Sequence, residues 1–235
     1  MILFREVSKN FGKLEALKDF NLNISDGELF ALVGPNGAGK TTTLRILMGA
    51  LRPSSGEVFV KGKSLLREPI EAKRIMGYLP EEPNLYERMT PREYLRFFSD
   101  LYGAGRERID YLLEQMGMIE KADIKISTFS KGMRQRIAIS RALLHDPEII
   151  VLDEPTMGLD PITARELREF IAEQKGRKTV LLCTHYLFEA ELLADRVGIL
   201  NNGRLVAIGT PDELREESGK DNLEDIFFYF VRGGS

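Results

Sequence analysis

Residues 34–41 read Gly34-Pro35-Asn36-Gly37-Ala38-Gly39-Lys40-Thr41, with Thr42 next in line. Gly34, Gly39, Lys40 and Thr41 fall on the required positions of the phosphate-binding loop pattern. Glycines let successive backbone N–H groups turn toward a triphosphate, and a helix beginning near Gly39 points its positive end at the same charge. Lys40 reaches β/γ-phosphates in such a loop, and a hydroxyl at Thr41 ligates Mg²⁺. The flanks agree with this reading. Residues 28–33, Glu-Leu-Phe-Ala-Leu-Val, form an apolar strand leading in, and residues 42–48 suit a helix leading out. Together they predict an α/β fold whose ligand is a nucleoside triphosphate.

The rest of the chain is compatible with one such domain. At 235 residues it is long enough for a single sizeable α/β unit with an inserted subdomain. Hydrophobic residues make up 43% and charged residues 29%, ordinary values for a globular chain. A net charge of -3 gives no basic excess, so no nucleic-acid partner is expected. No apolar run approaches the roughly 18 residues that span a bilayer. The start of the chain has neither the basic segment nor the apolar core of a signal peptide. One cysteine, Cys183, excludes an internal disulfide. Use of a triphosphate favours an intracellular site.

Short β-like runs are expected at 2–7, 16–24, 28–33, 56–60 and 75–79. Between residues 90 and 144 the pattern turns helical. Thr90-Pro91-Arg92-Glu93 combines a capping residue, a first-turn proline and an acid at the third helical position. Tyr94, Leu95, Phe97, Phe98, Leu101 and Tyr102 follow at helical spacing. Further helices fit 106–116 and 131–144, and the stretch reads as a helical subdomain inserted into the nucleotide-binding core. Strand–helix alternation resumes over 148–152, 162–174, 179–183, 187–194, 197–200 and 204–208. Thr210 caps another helix, and residues 232–235 read as a loose tail.

A second cluster strengthens the first. Ile149-Ile150-Val151-Leu152-Asp153-Glu154 is an apolar strand ending in two acids. A buried strand delivers Asp153 to hold Mg²⁺, and Glu154 can polarise the water that attacks a γ-phosphate. Three more runs follow the same logic of order: Ser130-Lys131-Gly132-Met133-Arg134-Gln135-Arg136 before that strand, Gly158-Leu159-Asp160 after it, and Thr184-His185 closing the next strand. In this order and at this spacing the chain resembles, over essentially its whole length, the ATP-binding subunit of an ABC transporter.

The resemblance implies a P-loop NTPase core with an N-terminal antiparallel β subdomain and an inserted α-helical subdomain. Residues 1–89 and 146–235 would form the core with the β subdomain, and residues 90–145 the helical subdomain. ATP and Mg²⁺ would be the ligands. Residues 34–42 would cradle the phosphates, Thr41 and Asp153 would serve the metal, Glu154 would be the hydrolytic carboxylate, and His185 would contact the γ-phosphate. Two such domains close head to tail in the family. Ser130 and Gly132 would then read the γ-phosphate held by the partner, with Asp160 at the seam. Phe11, in Lys9-Asn10-Phe11-Gly12, takes the place of the aromatic that stacks on adenine. The partners implied are a second ATPase subunit, identical or not, and separate integral membrane subunits. The chain would lie in the cytoplasm, peripheral to the membrane.

Two departures stand out. The signature loop reads Phe129-Ser130-Lys131-Gly132-Met133 where many members have Leu-Ser-Gly-Gly-Gln. Glu81, in Tyr78-Leu79-Pro80-Glu81-Glu82, replaces the usual glutamine at a metal-associated position. Both variants, with the ending Leu223-Glu224-Asp225-Ile226-Phe227, resemble the exporter branch whose membrane subunits carry six helices. The competing readings are a soluble ABC ATPase remodelling a non-membrane assembly and a non-catalytic nucleotide switch; Glu154 and His185 argue against the second. His145, in a helix end, reads as a dipole or capping residue. The aromatics from Tyr86 to Tyr102 suit either core or a docking groove. Those at 227–230 read as packing on the core, and Arg134 and Arg136 suit either a salt-bridged face or a nucleotide contact.

Overall fold

Long apolar runs bounded by turn residues become strands here, and the computed structural model, which describes residues 1–233, assembles them into two sheets. In chain order the elements are β1 (Ile2–Phe11), β2 (Leu14–Ile24), β3 (Leu29–Val33), α1 (Lys40–Leu47), β4 (Ser55–Val60), β5 (Lys63–Ser64), α2 (Pro69–Arg74) and β6 (Met76–Leu79). The helices α3 (Pro91–Tyr102), α4 (Glu107–Gln115) and α5 (Lys131–Leu143) follow. Then come β7 (Ile149–Asp153), α6 (Pro161–Gln174), β8 (Thr179–Thr184), α7 (Leu187–Leu193), β9 (Arg196–Asn201), β10 (Arg204–Gly209), α8 (Pro211–Ser218) and α9 (Leu223–Val231).

The first sheet has the order β2-β1-β4-β5 and is antiparallel throughout. The second runs β10-β9-β3-β8-β7-β6, parallel except for the β10 edge. Its central strands β3, β7 and β8 are buried along their whole length, as parallel strands covered on both faces must be. Alternation then sorts their side chains between two cores. Phe30, Leu32, Ile149, Val151, Leu181 and Cys183 pack with the antiparallel sheet and α1. Leu29, Ala31, Val33, Ile150, Leu152, Val180 and Leu182 pack with the helices on the other face. The second of these cores is continuous with Tyr94, Leu113, Ile126 and Ile137, so α3–α5 rest on the sheet through shared apolar contact.

The caps behave as their chemistry dictates. Thr90 accepts from the Glu93 backbone N–H while the Glu93 carboxylate accepts from the Thr90 N–H, a complete capping box. Thr210 and Glu213 repeat it at α8.

Three expectations change. The first hairpin is longer than expected, with β1 reaching Phe11 and β2 starting at Leu14. Bulges in β1, with Glu6 at φ 51°, break the two-residue alternation that marks a strand. The helix α2 was not expected; it buries only Ala72, so it leaves no periodic signal. Residues 223–231, for which no element was expected, form a helix capped by Asn222. Within it Phe227 and Phe230 pack on the core as expected, but Phe228 is exposed. Of the expected loose tail, Arg232 and Gly233 form a turn and residues 234–235 lie outside the described residues.

Candidate functional site

The parallel register decides where chemistry collects. Val33 of β3 pairs with Thr184 of β8, and Asp153 of β7 pairs with Cys183. The loop after β3, the acids ending β7 and the His185 following β8 therefore leave the sheet at one edge, beyond the carboxyl ends of the strands. Open α/β sheets bind ligands at that edge.

There a cavity of about 770 Å³ opens, lined by Phe11, residues 35–42, Glu81, Asp153, Glu154 and His185. Gly34 lies just behind it, its carbonyl accepting from Lys40 Nζ at 2.5 Å. The same ammonium reaches the Pro35 carbonyl at 3.4 Å, so the Lys40 charge is held inside the loop. Gly37 and Gly39 adopt φ of 80° and 116°. A Cβ on Gly39 would also sit 2.7 Å from the Ala16 carbonyl oxygen, so glycine is required there by both conformation and contact. Thr41, exposed at the first turn of α1, faces the cavity.

Three carboxylates converge opposite the loop. Asp153 is 5% exposed, and burial pushes its carboxyl up to about 6, helped by the nearby charges of Glu81 and Glu154 and opposed by Lys40 and Arg45. Two of the three, Asp153 and Glu154, are buried, and neighbouring buried acids are an environment a cation relieves. Among the described residues no three His, Cys, Asp or Glu side chains form a closed metal cage. That suits Mg²⁺, which takes one or two protein ligands and fills its sphere with water and phosphate oxygens. Glu81, and not its neighbour Glu82, lines the cavity.

Glu154 has an unusual backbone. Its φ is 49°, the left-handed region that a glutamate rarely occupies. Its N–H donates to the Cys183 carbonyl at 2.8 Å, tying the turn to β8. The Glu154 carboxylate accepts from the His185 backbone N–H at 3.2 Å and lies 2.8 Å from His185 Nδ1. The Nδ1 contact is a close ion-pair approach, and the hydrogen bond between the two residues is the one from the His185 backbone N–H. The carboxylate is buried and the imidazole half exposed.

The remaining expected residues lie elsewhere in the single chain. Ser130 caps α5, accepting from the Met133 N–H, and Gly132 abuts Thr163. Asp160 caps α6, where the N–H groups of Thr163 and Ile162 hold its carboxyl below the usual range. None of the three lines the cavity. Arg134 and Arg136 are occupied by Glu87 and Glu166, so they belong to a salt-bridged face. His145 is not a helix cap. It meets the Met76 carbonyl of β6 at 3.1 Å and stacks near Tyr102, and burial pushes its imidazole down.

Sequence reading missed Leu14, Glu15, Ala16 and Lys18 of β2, Met157, and the Asn202-Gly203 turn. Tertiary hydrogen bonds carry that turn into place: Lys18 N–H to the Gly203 carbonyl at 2.8 Å, and Gly203 N–H to the Ala38 carbonyl at 2.9 Å. The Asn-Asn-Gly run was a turn signal, but nothing local linked it to the loop.

The profile of the family described as ABC transporter matches residues 17–157. The ABC transporter ATP-binding protein NatA of Bacillus subtilis (strain 168) is 39% identical over 99% of this chain and 99% of its own. The linearmycin resistance ATP-binding protein LnrL of the same organism is 37% identical over 95% of this chain and 73% of its own. A dimeric structure of an ATP-binding cassette in a post-hydrolysis state, bound to ADP and Pi, superposes with a TM-score of 0.80 at 28% identity, covering 89% of this chain and 98% of that one. A phosphate loop, a paired acid and histidine across two adjacent strand ends, and these likenesses lead to one conclusion: the chain belongs to the ABC transporter family.

Proposed function

We propose that the chain is the motor subunit of an exporter, closing head to tail with a second ATPase subunit on two MgATP and driving separate membrane subunits from the cytoplasmic face. Membership in the ABC transporter family makes it an ATPase that binds ATP; the roles below are our assignment. Export is supported by the drug-resistance relative, and closure by the dimeric neighbour.

One observation carries the mechanism. The Glu154 carboxylate accepts from the His185 backbone N–H and lies 2.8 Å from its imidazole, at the cavity wall. Backbone N–H groups of the loop, other than that of Ala38, which already bonds the Pro35 carbonyl, and the Lys40 ammonium bind the β/γ-phosphates. Phe11, 47% exposed at the mouth of the cavity, offers a ring face to the base. The Glu154 carboxylate orients the attacking water and takes its proton. His185 keeps that carboxylate aimed through its backbone N–H and presents its imidazole to the γ-phosphate. When bound, Mg²⁺, held by Thr41 and Asp153 with Glu81 alongside, neutralises charge on the phosphate oxygens.

Ser130, Gly132 and Asp160 lie outside the chain's own cavity, which supports their use by a partner's nucleotide across the seam. Residues 90–145 form the helical subdomain that carries Ser130, set into the core of 1–89 and 146–235. The exposed rings of Tyr86, Phe97 and Tyr102, beside buried Tyr94, give this subdomain an apolar face for a membrane subunit. Among the described residues no helix is long and apolar enough to cross a membrane.

The test is Glu154→Gln. Binding of a fluorescent ATP analogue is retained, while phosphate release falls at least about a hundredfold, the scale of general-base loss. Turnover near wild type excludes Glu154 as the hydrolytic carboxylate.

A further inference from the structure

Glu189 of α7 is a buried acid that the mechanism above leaves unused. It is 1% exposed and sits on the apolar side of the helix that follows His185. Its Oε1 accepts from the Thr156 hydroxyl at 2.5 Å and from Arg168 of α6 at 3.1 Å. Its Oε2 accepts from the Thr184 hydroxyl at 3.4 Å. Thr184 in turn accepts from the Tyr186 N–H at 3.0 Å, across His185. One carboxylate thus grips the turn two residues after Glu154 and the strand end one residue before His185. Arg168 balances its charge and stacks on Phe188.

We infer that Glu189 is a positioning residue for hydrolysis, riveting the two segments that carry Glu154 and His185 so that their shared hydrogen bond and the aim of the carboxylate are kept. Glu154 holds a left-handed φ, and a side chain at such a position relaxes unless its surroundings over-determine it. The turn after Glu154 is held to β8 by the Glu154 N–H on the Cys183 carbonyl, and two side-chain contacts add to this. Gln135 of α5 donates to the Pro155 carbonyl at 2.8 Å, and Glu189 takes the Thr156 hydroxyl. Of these two, the Glu189 contact also reaches the His185 segment, through the Thr184 hydroxyl. The phosphate loop follows β3, a different strand, and is held by the Gly203 N–H on the Ala38 carbonyl, Gly203 being fixed in turn to Lys18 of β2. Loosening the rivet therefore misplaces the carboxylate while leaving the triphosphate cradle intact. Two buried hydroxyls on one carboxylate, at 5% and 0% exposure for Thr156 and Thr184, exceed what simple helix packing requires.

This inference rests on Glu154 being the hydrolytic carboxylate, and the experiment separates the two claims. Phosphate release against ATP concentration and binding of a fluorescent ATP analogue are measured for the wild type, Glu189→Gln, Thr156→Val and Glu154→Gln. Gln keeps the shape and an acceptor oxygen but loses the charge; Val keeps the shape and removes the hydroxyl. The expected result is a kcat lower by about tenfold to a hundredfold in Glu189→Gln and Thr156→Val, with KM and Kd for ATP within about twofold of wild type, the signature of a misaligned reacting group. If Glu189→Gln does not fold, Thr156→Val decides alone on the same split. A kcat close to wild type overturns the inference while leaving the Glu154 assignment standing. A fall in kcat matched by an equal loss of ATP affinity also overturns it, since that is general loosening of the fold. Normal turnover by Glu154→Gln removes the assignment beneath it.

Discussion

Replacing Asp153 by Asn tests the electrostatics of the site without any nucleotide. In the folded chain the Asp153 carboxyl sits at about 6 against an ordinary 3.8, with burial as the main cause and Glu81 and Glu154 behind it. The folded state therefore holds the proton more tightly than the unfolded chain does, so stability falls as pH rises between those two values. At 1.36 kcal/mol per pH unit, the gap from 3.8 to about 6 is worth about 3 kcal/mol at completion. Roughly two-thirds of that, about 2 kcal/mol, is lost between about pH 4.5 and pH 7.5. Asn cannot ionise, so Asp153→Asn escapes this loss, and its own fixed packing cost cancels when the two pH values are compared. The assay is urea unfolding of both proteins at the two pH values, free of nucleotide and Mg²⁺. Relative to wild type, the variant gains about 2 kcal/mol on going to the higher pH. Added Mg²⁺ then stabilises the wild type more than the variant, which has lost one of the three carboxylates at the site. Parallel pH–stability curves would refute the claim that Asp153 is a strained buried acid.

Lys40→Ala removes the charge buried in the loop and weakens MgATP binding by about tenfold to a hundredfold, the worth of a charge-assisted hydrogen bond, read by titration with a fluorescent analogue. Gly39→Ala forces an L side chain to φ 116° against the Ala16 carbonyl and lowers stability by more than about 1 kcal/mol, read by thermal unfolding. Glu81→Gln removes one of the charges acting on Asp153 and raises the Mg²⁺ concentration for half-maximal hydrolysis; an unchanged curve places Glu81 outside the ion's reach.

What could be read in advance is what is local. The loop at 34–41 and the acids at 153–154 carry their chemistry in adjacent residues, and apolar strands before each fix their exit from the sheet. The caps at Thr90 and Thr210 are likewise written within four residues. The parts that escaped depend on distant pairing. Ala16 and Gly203 join the cavity only because β2 and the β9–β10 turn fold against the loop. The α9 helix is built from aromatic residues with weak intrinsic helix preference, and the core it covers decides its form. The bond between Glu154 and His185 needs a register between β7 and β8 that no spacing encodes. Nothing around Glu189 in sequence distinguishes it from a solvated helix acid; only burial against Thr156, Thr184 and Arg168 does.

The central claim is that ATP closes two copies on each other and that Glu154 reopens them by hydrolysis. The direct measurement is the solution mass of Glu154→Gln by light scattering, with MgATP and with MgADP. The account predicts a doubled mass with MgATP that persists through chromatography, and a monomer with MgADP. A monomer under both conditions, with phosphate release proportional to protein concentration and close to wild type, would contradict it.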